Sequence, residues 1–93
     1  MIISFRHKGL ENFYRTASKR GIQAAHAGKL RYILGVLDVA KKPEDVKVPN
    51  FRLHPLKQDL KNFWSVDVNG NWRVIFRFTE TADVELVDYL DYH

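Results

Sequence analysis

The chain contains no cysteine. A disulfide framework, a zinc–thiolate site and a thiol nucleophile are therefore all excluded. No apolar run approaches the length that crosses a membrane. At the amino end, MIISFRHKG has too short an apolar run before its basic residues to be a signal peptide. We therefore expect a cytoplasmic protein that is not associated with a membrane.

Sequence fingerprints of nucleotide-dependent and metal-dependent enzymes are also missing. The chain has no GxSxG, Walker or dinucleotide-binding pattern. Its histidines, His7, His26, His54 and His93, are scattered and do not form an HxH or HExxH motif. We therefore expect that the protein uses neither a metal ion nor a cofactor.

Acidic residues are scarce in the first part of the chain. Residues 1–42 contain nine Lys or Arg against two Asp or Glu, a net charge of +7, whereas residues 43–93 contain six against nine, a net of −3. The two parts sum to the formal charge of +4. Such asymmetry is typical of a basic surface that faces a polyanion such as RNA, and it is equally compatible with a solvated basic helix.

Length and apolar content predict one domain with two helices. A chain of 93 residues with 45% apolar residues builds a single core, so we expect residues 1–93 to form one domain. Apolar residues recur at helical spacing and predict amphipathic helices over residues 8–18 and 23–40. We expect Gly21 to end the first helix and Pro43 to stop the second.

Strands are predicted at both ends of the chain. The short apolar run in residues 1–6 favours a first strand that joins the sheet. The nearly continuous apolar and aromatic run in residues 84–93 favours a strand that is covered on both faces. Residues 43–62 contain all three prolines and show little periodicity, so we expect a long connecting loop there.

The clearest local signal is a β-hairpin at residues 63–78, where two runs of aromatic and β-branched residues flank Asn69-Gly70-Asn71. A two-residue loop would mix apolar and charged side chains on both faces, whereas a three-residue loop with Val68 opposite Trp72 separates them. We expect Asn71 in the left-handed turn position. The predicted apolar face comprises Trp64, Val66, Val68, Trp72, Val74, Phe76 and Phe78. The predicted polar face comprises Ser65, Asp67, Arg73, Ile75 and Arg77.

Side chains with acidic, basic or cationic groups occur on the predicted loop, the polar hairpin face and the end of the last strand. They are His54, Lys57, Arg73, Asp91, Tyr92 and His93. Such groups suit transfer of an RNA phosphodiester: a base deprotonates the ribose 2′-hydroxyl, cations stabilise charge at phosphorus, and an acid protonates the leaving oxygen. Each residue also has a purely structural interpretation. Arg73, for example, is able to pair with Asp67 across the strands.

The order and spacing of these residues resemble the HigB toxins of the RelE/ParE superfamily. The segments that carry the resemblance are Arg52-Leu53-His54-Pro55-Leu56-Lys57, Trp64-Ser65, Asn71-Trp72-Arg73-Val74-Ile75-Phe76 and Asp91-Tyr92-His93. The resemblance spans the whole chain and is densest from Arg52 onward. It implies an α+β protein with the small RelE-type fold, in the order β-α-α-β-β-β, in which two helices pack on one face of an antiparallel sheet.

The resemblance also implies a function. It predicts the toxin of a type II toxin–antitoxin system, a ribosome-dependent endonuclease that cleaves mRNA in the decoding site by metal-free attack of the 2′-hydroxyl and so inhibits translation. The implied partners are the ribosome, mRNA and a helix-turn-helix antitoxin similar to HigA. The implied catalytic residues are His54, Lys57, Arg73, Tyr92 and His93. The implied RNA-binding residues are Arg52, Asn71 and Asp91. The chain departs from the family at Gln58 and Asn62, where glycine is frequent.

Two other functions compete with this one. A non-catalytic toxin of the ParE type, which inhibits DNA gyrase, has the same fold, but such toxins generally lack a cluster like His54, Arg73 and the Tyr92-His93 ending. A plain RNA-binding module requires exposed aromatic side chains that stack on bases. The predicted polar face of the hairpin has none.

Overall fold

The computed structural model describes residues 1–91. Its one sheet has four antiparallel strands in the order β1-β2-β3-β4. The strands are β1 (His54–Pro55), β2 (Phe63–Asn69), β3 (Trp72–Phe78) and β4 (Val84–Asp91), and the helices are α1 (Lys8–Thr16) and α2 (Ala27–Val39). Apolar side chains of both helices share one core with Val66 and Val74 of the hairpin. The predicted α+β fold, with two helices on one sheet face, is confirmed.

The first residues of the chain extend this sheet beyond β4. Ile2 and Phe5 form isolated parallel bridges with Val84 and Val87. Ile2 is buried in the core, and its N–H donates to Asp38 of α2 at 3.0 Å. The predicted first strand therefore joins the sheet, but as two parallel bridges next to β4.

Helix α1 begins and ends through local backbone chemistry. The Nδ1 atom of His7 accepts the N–H of Leu10 at 2.9 Å, which satisfies one of the free donors of the first turn. The helix ends at Thr16 because Ala17 adopts a left-handed conformation, with φ of +62°. The prediction that Gly21 ends this helix is wrong. Gly21 instead lies against Gly9, and a Cβ added to Gly21 would be 2.4 Å from the Gly9 Cα.

Helix α2 follows a single turn of 3₁₀-helix at Ala24–His26. It ends at Val39. The next residue, Ala40, lies three residues before Pro43 and has extended backbone. Pro43 opens another short turn, Pro43–Val46, in the segment that we predicted as a loop. Val46 and Phe51 from that segment are buried in the core. The connection is therefore packed against the domain.

The hairpin has the predicted register along its strands. Val66 lies opposite Val74, and Asp67 lies opposite Arg73. A bulge follows Asp67, so that Asn69 rather than Val68 lies opposite Trp72. The left-handed turn position belongs to Gly70, with φ of +55°, and the prediction that Asn71 takes it is wrong. A bulge inserts one unpaired residue, and the flexible Gly70 then closes the tighter turn.

The face of the hairpin away from the helices is less polar than predicted. Ser65 and Ile75 are buried, and so is Phe63, which lies opposite Arg77. The guanidinium groups of Arg6 and Arg77 lie 5.1 and 5.4 Å from the centre of the Phe63 ring. The charged groups on this face thus surround a small apolar floor.

Strand β4 contains a bulge that explains its ambiguous alternation. The register with β3 shifts between Ile75 and Arg77, and Leu86 has a positive φ of +56°. The N–H of Leu86 donates to the hydroxyl of Ser4 at 2.8 Å. Because the bulge changes the phase of the strand, Val84, Val87 and Tyr89 all reach the core despite their uneven spacing.

Candidate active site on the sheet face away from the helices

A cavity of about 180 Å³ lies on this face and is lined by His54, Leu56, Ser65 and Arg73. Strand pairing brings these residues together. His54 of β1 lies opposite Ser65 of β2, while Arg73 of β3 lies opposite Asp67, two residues further along β2. The structure thus places two of the predicted catalytic residues, His54 and Arg73, around one cavity.

Arg73 is held by three acceptors. Its Nε atom lies 3.0 Å from Asp67 Oδ1, and its Nη1 atom donates to the carbonyl oxygens of Gly70 at 2.7 Å and Trp72 at 3.0 Å. The side chains of Arg73 and Asp67 are only 22% and 20% exposed. A guanidinium group has five N–H donors, so these bonds fix its orientation and leave the two N–H groups of Nη2 without a partner among residues 1–91.

Arg52, a predicted RNA-binding residue, lies on the outer side of the same carboxylate. Its Nε atom is 4.0 Å from Asp67 Oδ2, and its side chain is 82% exposed. At this distance the pair is weak, because an exposed ion pair contributes about 0 to 1 kcal/mol. Asp67 thus orients Arg73 closely and Arg52 loosely, and the cationic charge of Arg52 faces solvent.

His54 sits on an edge strand of only two residues. Pro55 follows it, and proline is tolerated at an edge because it has no N–H to donate to a further strand. The His54 ring is exposed, and the distance from its Nδ1 atom to the Pro55 carbonyl oxygen is long, at 3.4 Å. The imidazole is therefore accessible to a molecule in the cavity.

Lys57 is exposed and is not part of the cavity lining. It precedes a single 3₁₀ turn, Gln58–Leu60. Gln58 has φ of +58° and Asn62 has φ of +77°. Both residues therefore adopt the left-handed conformation that glycine, the frequent family residue, adopts without strain. The loop thus places two non-glycine residues in a conformation that usually favours glycine.

Asp91, the last described residue of β4, lies beside the hairpin turn. Asp91 is opposite Trp72 in the sheet, which places it next to Asn71 and Arg73 in the same corner. Asp91 and Asn71 are both exposed. Tyr92 and His93, which we also predicted to be catalytic, lie outside the described residues.

Ser65 is a cavity residue that the sequence reasoning did not select. It was placed on the polar hairpin face, but its neighbour across the sheet, His54, was predicted to lie in a loop. The pairing of β1 with β2 was therefore not predicted. Ser65 belongs to the Trp64-Ser65 segment that carries the resemblance, but no role was predicted for it. A serine inside a run of β-branched and aromatic residues is a further signal.

A larger cavity of about 410 Å³ lies between the two helices. Its polar lining includes Tyr14 and Asp38, whose side chains are hydrogen-bonded to each other at 2.9 Å. Burial, together with the hydrogen bond to Asp38 and its charge, raises the pKa of the Tyr14 phenol, which disfavours its anion. Because its acid and phenol are already paired, this cavity is a poorer candidate for catalysis than the one beside His54.

Residues 1–91 offer neither a metal-binding cluster nor a membrane-spanning helix. In that part of the chain no three His, Asp or Glu side chains are grouped so that they would hold a metal ion. Likewise, none of the helices there is long and apolar enough to cross a membrane.

Comparison with known proteins identifies relatives over the full length. A family model described as a RelE-like toxin of the type II toxin–antitoxin system HigB matches residues 3–93. The chain is 34% identical over 93 residues to Endoribonuclease HigB of Proteus vulgaris, covering 100% of both chains. It is 34% identical over 95 residues to Toxin HigB-1 of Vibrio cholerae serotype O1, covering 100% of this chain and 98% of that one.

A solved structure supports the same fold. The crystal structure of YafQ from E. coli strain BL21(DE3) aligns with a TM-score of 0.57 over 96% of this chain and 86% of that one, at 18% identity. At this identity the likeness concerns the fold alone. The family match and the two full-length relatives go further, and they show that this chain belongs to the HigB family of RelE-like toxins of type II toxin–antitoxin systems.

Proposed function

We propose that this toxin cleaves mRNA in the decoding site of the ribosome and so inhibits translation. The chain is an endoribonuclease of the HigB family. The observation that carries the proposal is the approach of His54 and Arg73 to one cavity, beside the end of β4. Non-catalytic inhibition of DNA gyrase is not favoured, because the matching family and the full-length relatives are HigB toxins.

The residues present suit 2′-hydroxyl attack on the adjacent phosphate. A base removes the proton of the 2′-hydroxyl, a bond forms between the 2′-oxygen and phosphorus, and the bond from phosphorus to the 5′-oxygen breaks. An acid then protonates the leaving 5′-oxygen, and the product carries a 2′,3′-cyclic phosphate. His54 is exposed at the cavity and is suited to one proton transfer. His93 is proposed for the other, and the roles of base and acid stay open between them.

Arg73 is suited to stabilise the charge that develops on the phosphate. Its Nε and Nη1 atoms are fixed by Asp67 and by two backbone carbonyls. The Nη2 edge therefore meets the phosphate in a fixed geometry, and preorganised donors of this kind lower the barrier without rearrangement. Lys57 is proposed to add positive charge from the loop, and Tyr92 to stack on a base of the bent mRNA.

Arg52, Asn71 and Asp91 are proposed to bind RNA around this centre. Arg52 and Asn71 are exposed; Arg52 lies beside Asp67, the partner of Arg73, and Asp91 is opposite Trp72, which follows Asn71. An arginine suits a phosphate, while amide and carboxylate groups suit hydrogen bonds to base edges. These residues would fix the position of the codon relative to His54 and Arg73.

The ribosome is a proposed partner because the toxin has few cationic groups to organise free RNA. Its formal charge is only +4, and alignment of the 2′-hydroxyl with the scissile bond requires an ordered bend in the mRNA. The test is translation in vitro with added toxin, in which mRNA ends are mapped with and without ribosomes. We expect cleavage only with ribosomes. Efficient, codon-selective cleavage of naked RNA at physiological salt would contradict this dependence.

Membership in a type II system implies an antitoxin partner. We propose that it is a helix-turn-helix protein similar to HigA, and that it binds the basic helical side of the toxin. The motivation is the net charge of +7 in residues 1–42, which include both helices. We also propose that the toxin acts in the cytoplasm, because translating ribosomes are found there.

A further inference from the structure

We propose that Ser65 is a further catalytic residue, whose hydroxyl donates a hydrogen bond to a non-bridging oxygen of the scissile phosphate. The inference rests on the proposed function, because it places the scissile phosphate in the cavity between His54 and Arg73. Three observations support it: Ser65 is buried at the cavity, its hydroxyl has no hydrogen-bond partner within residues 1–91, and serine is unusual in a central strand.

Ser65 is only 2% exposed, yet it lines the cavity. It lies in β2, with His54 of β1 on one side and Ile75 of β3 on the other. Because neighbouring strands hold it on both sides, its backbone has little freedom to move away from the cavity. The pairing therefore fixes the place of its Cβ atom between His54 and Ile75.

The hydroxyl of Ser65 makes no hydrogen bond within residues 1–91. In that part of the chain, every side-chain oxygen or nitrogen that is itself fully buried has a hydrogen-bond partner. The hydroxyl oxygen of Ser65 is therefore not fully buried and is reachable from the cavity, although the rest of the residue is buried. A hydroxyl in such a position loses free energy unless a water or a ligand bonds to it. A phosphate oxygen in the cavity would supply that bond.

A serine is a poor choice for this position on structural grounds alone. Central strands favour β-branched side chains, such as Val66, which follows Ser65 in β2. Within residues 1–91, no protein group bonds to the hydroxyl. A valine or threonine at position 65 would add a methyl group to the cavity floor. Serine lacks this methyl group, so it leaves more room in the cavity, and its hydroxyl is a hydrogen-bond donor.

The cavity chemistry favours a phosphate over a neutral ligand. Arg73 supplies fixed cationic N–H groups, His54 supplies an imidazole, and Leu56 forms an apolar wall. The volume of about 180 Å³ equals roughly six waters of about 30 Å³ each. A phosphate diester group fits this space, and the hydroxyl of Ser65 completes a set of donors from three strands.

The test is single-turnover cleavage of ribosome-bound mRNA by Ser65→Ala. A hydrogen bond to a charged group corresponds to a rate factor of about 10 to 100, so we expect cleavage to fall by that factor. Ribosome cosedimentation and the melting temperature should be unchanged, because no protein hydrogen bond is lost. Ser18→Ala, a serine on the helical side, is the matched control and should cleave normally. Cleavage by Ser65→Ala within twofold of the parent protein would overturn the proposal.

The contact itself is tested with mRNA that carries a phosphorothioate at the scissile bond. Sulfur accepts hydrogen bonds weakly, so replacement of the oxygen that Ser65 contacts should slow cleavage by the parent protein. The same replacement should slow cleavage by Ser65→Ala very little, because that variant has already lost the hydrogen bond. We expect this difference between the two proteins for only one of the two phosphorothioate diastereomers. An equal effect of Ser65→Ala on both would overturn the assigned contact. If the parent protein itself leaves ribosome-bound mRNA intact, the proposed function fails, and the Ser65 proposal fails with it.

Discussion

At the scale of single residues, the two arginines on the outer face of β3 have similar ion pairs and different surroundings. Arg73 pairs with Asp67 beside the cavity, with 22% of its side chain exposed. Arg77 pairs with Glu85 at 2.6 Å, with 39% of its side chain exposed, and does not line that cavity. The two residues therefore allow the structural and the catalytic contribution of an arginine to be separated.

We expect Arg73→Ala to fold normally and to cleave poorly. Loss of a transition-state donor raises the barrier by about 3 to 4 kcal/mol, whereas a partly exposed ion pair contributes about 0 to 1 kcal/mol to stability. Cleavage should therefore fall by roughly 100- to 1,000-fold. Arg77→Ala should lose about as much stability and still cleave mRNA. Thermal unfolding and single-turnover cleavage measure both effects. A large fall in the melting temperature of Arg73→Ala with near-normal cleavage would reverse the assignment.

At the scale of the elements, Gly9 and Gly21 explain how the connection between the helices passes close to the start of α1. A Cβ on Gly9 would lie 2.4 Å from the carbonyl oxygen of Gly21, and this neighbour is backbone that cannot turn aside. Gly35 differs, because it lies within α2 and a Cβ there meets nothing within 4 Å. The same substitution should thus have opposite effects at the two places.

We expect Gly21→Ala to destabilise the protein by about 1 to 3 kcal/mol, the usual cost of forcing atoms into a packed region. Gly35→Ala should stabilise it by about 0.5 to 1 kcal/mol, because alanine favours the helix more than glycine does. Urea unfolding of both variants gives the two changes. Equal unfolding midpoints for Gly21→Ala and the parent protein would contradict this prediction. They would show that the backbone segments at Gly9 and Gly21 move apart without a loss of folding free energy.

A buried hydrogen bond joins the start of α2 to β4. The Tyr89 hydroxyl lies 2.6 Å from His26 Nδ1, and the N–H of Gln23 donates to it at 3.4 Å. The Tyr89 ring also stacks on Trp72, with ring centres 4.5 Å apart. Burial raises the pKa of the Tyr89 phenol, and the Gln23 hydrogen bond opposes this shift only in part. The folded protein therefore holds the phenolic proton more tightly than the unfolded chain.

This raised pKa predicts a loss of stability at alkaline pH. Below about pH 10 the phenol is protonated in both states, so its contribution is fully present. Above that pH the unfolded chain releases the proton first, and the free energy of unfolding falls until the folded pKa is passed. Tyr14, whose pKa is also raised, should add to the fall. Urea unfolding between pH 8 and 11 should show a shallower decline for Tyr89→Phe and the shallowest for Tyr14→Phe/Tyr89→Phe. An identical decline in all three proteins would contradict the assignment.

The elements differ in how far the sequence predicts them. The hairpin register follows from the sequence, because one pairing alone separates Val66 and Val74 from Asp67 and Arg73. Its turn does not, because a bulge arises from the fit between two strands and leaves no fixed residue pattern. Strand β1 has only two residues, and it forms because the loop is packed against β2. Sequence patterns report periodicity, and two residues have none.

The same limit applies to the candidate site. The resemblance to HigB toxins supplied His54 and Arg73, and the structure places them around one cavity, although their catalytic roles stay predictions. The resemblance includes Ser65 in the Trp64-Ser65 segment but implies no role for it, because its place beside His54 depends on the pairing of β1 with β2. The left-handed Gln58 was also not expected from its residue type, because the surrounding loop overrides its preference.

At the scale of the whole molecule, the helices and the candidate site lie on opposite faces of the sheet. The core between helices and sheet contains Val66 and Val74, whereas Ser65 and Arg73 on the same two strands line the cavity. Nine of the fifteen Lys and Arg residues occur in residues 1–42, which include both helices; of these nine, Arg6 lies over Phe63 on the opposite face. An antitoxin bound to the helical side would thus leave the cavity uncovered. It would inhibit the toxin by removing the charge that attracts ribosomal RNA.

We therefore expect free toxin to cosediment with ribosomes, with binding that weakens as salt rises, and the toxin–antitoxin complex to remain in the supernatant. Neutralisation of two exposed cations between the helices, in Lys19→Gln/Arg20→Gln, should weaken ribosome binding and reduce its salt dependence, because each lost phosphate contact lowers the slope by roughly one. Lys47→Gln, an exposed lysine outside residues 1–42, is the matched control and should bind as the parent does. If the complex cosediments as well as free toxin, charge masking is wrong and the antitoxin must act on the cavity or on its surrounding loops.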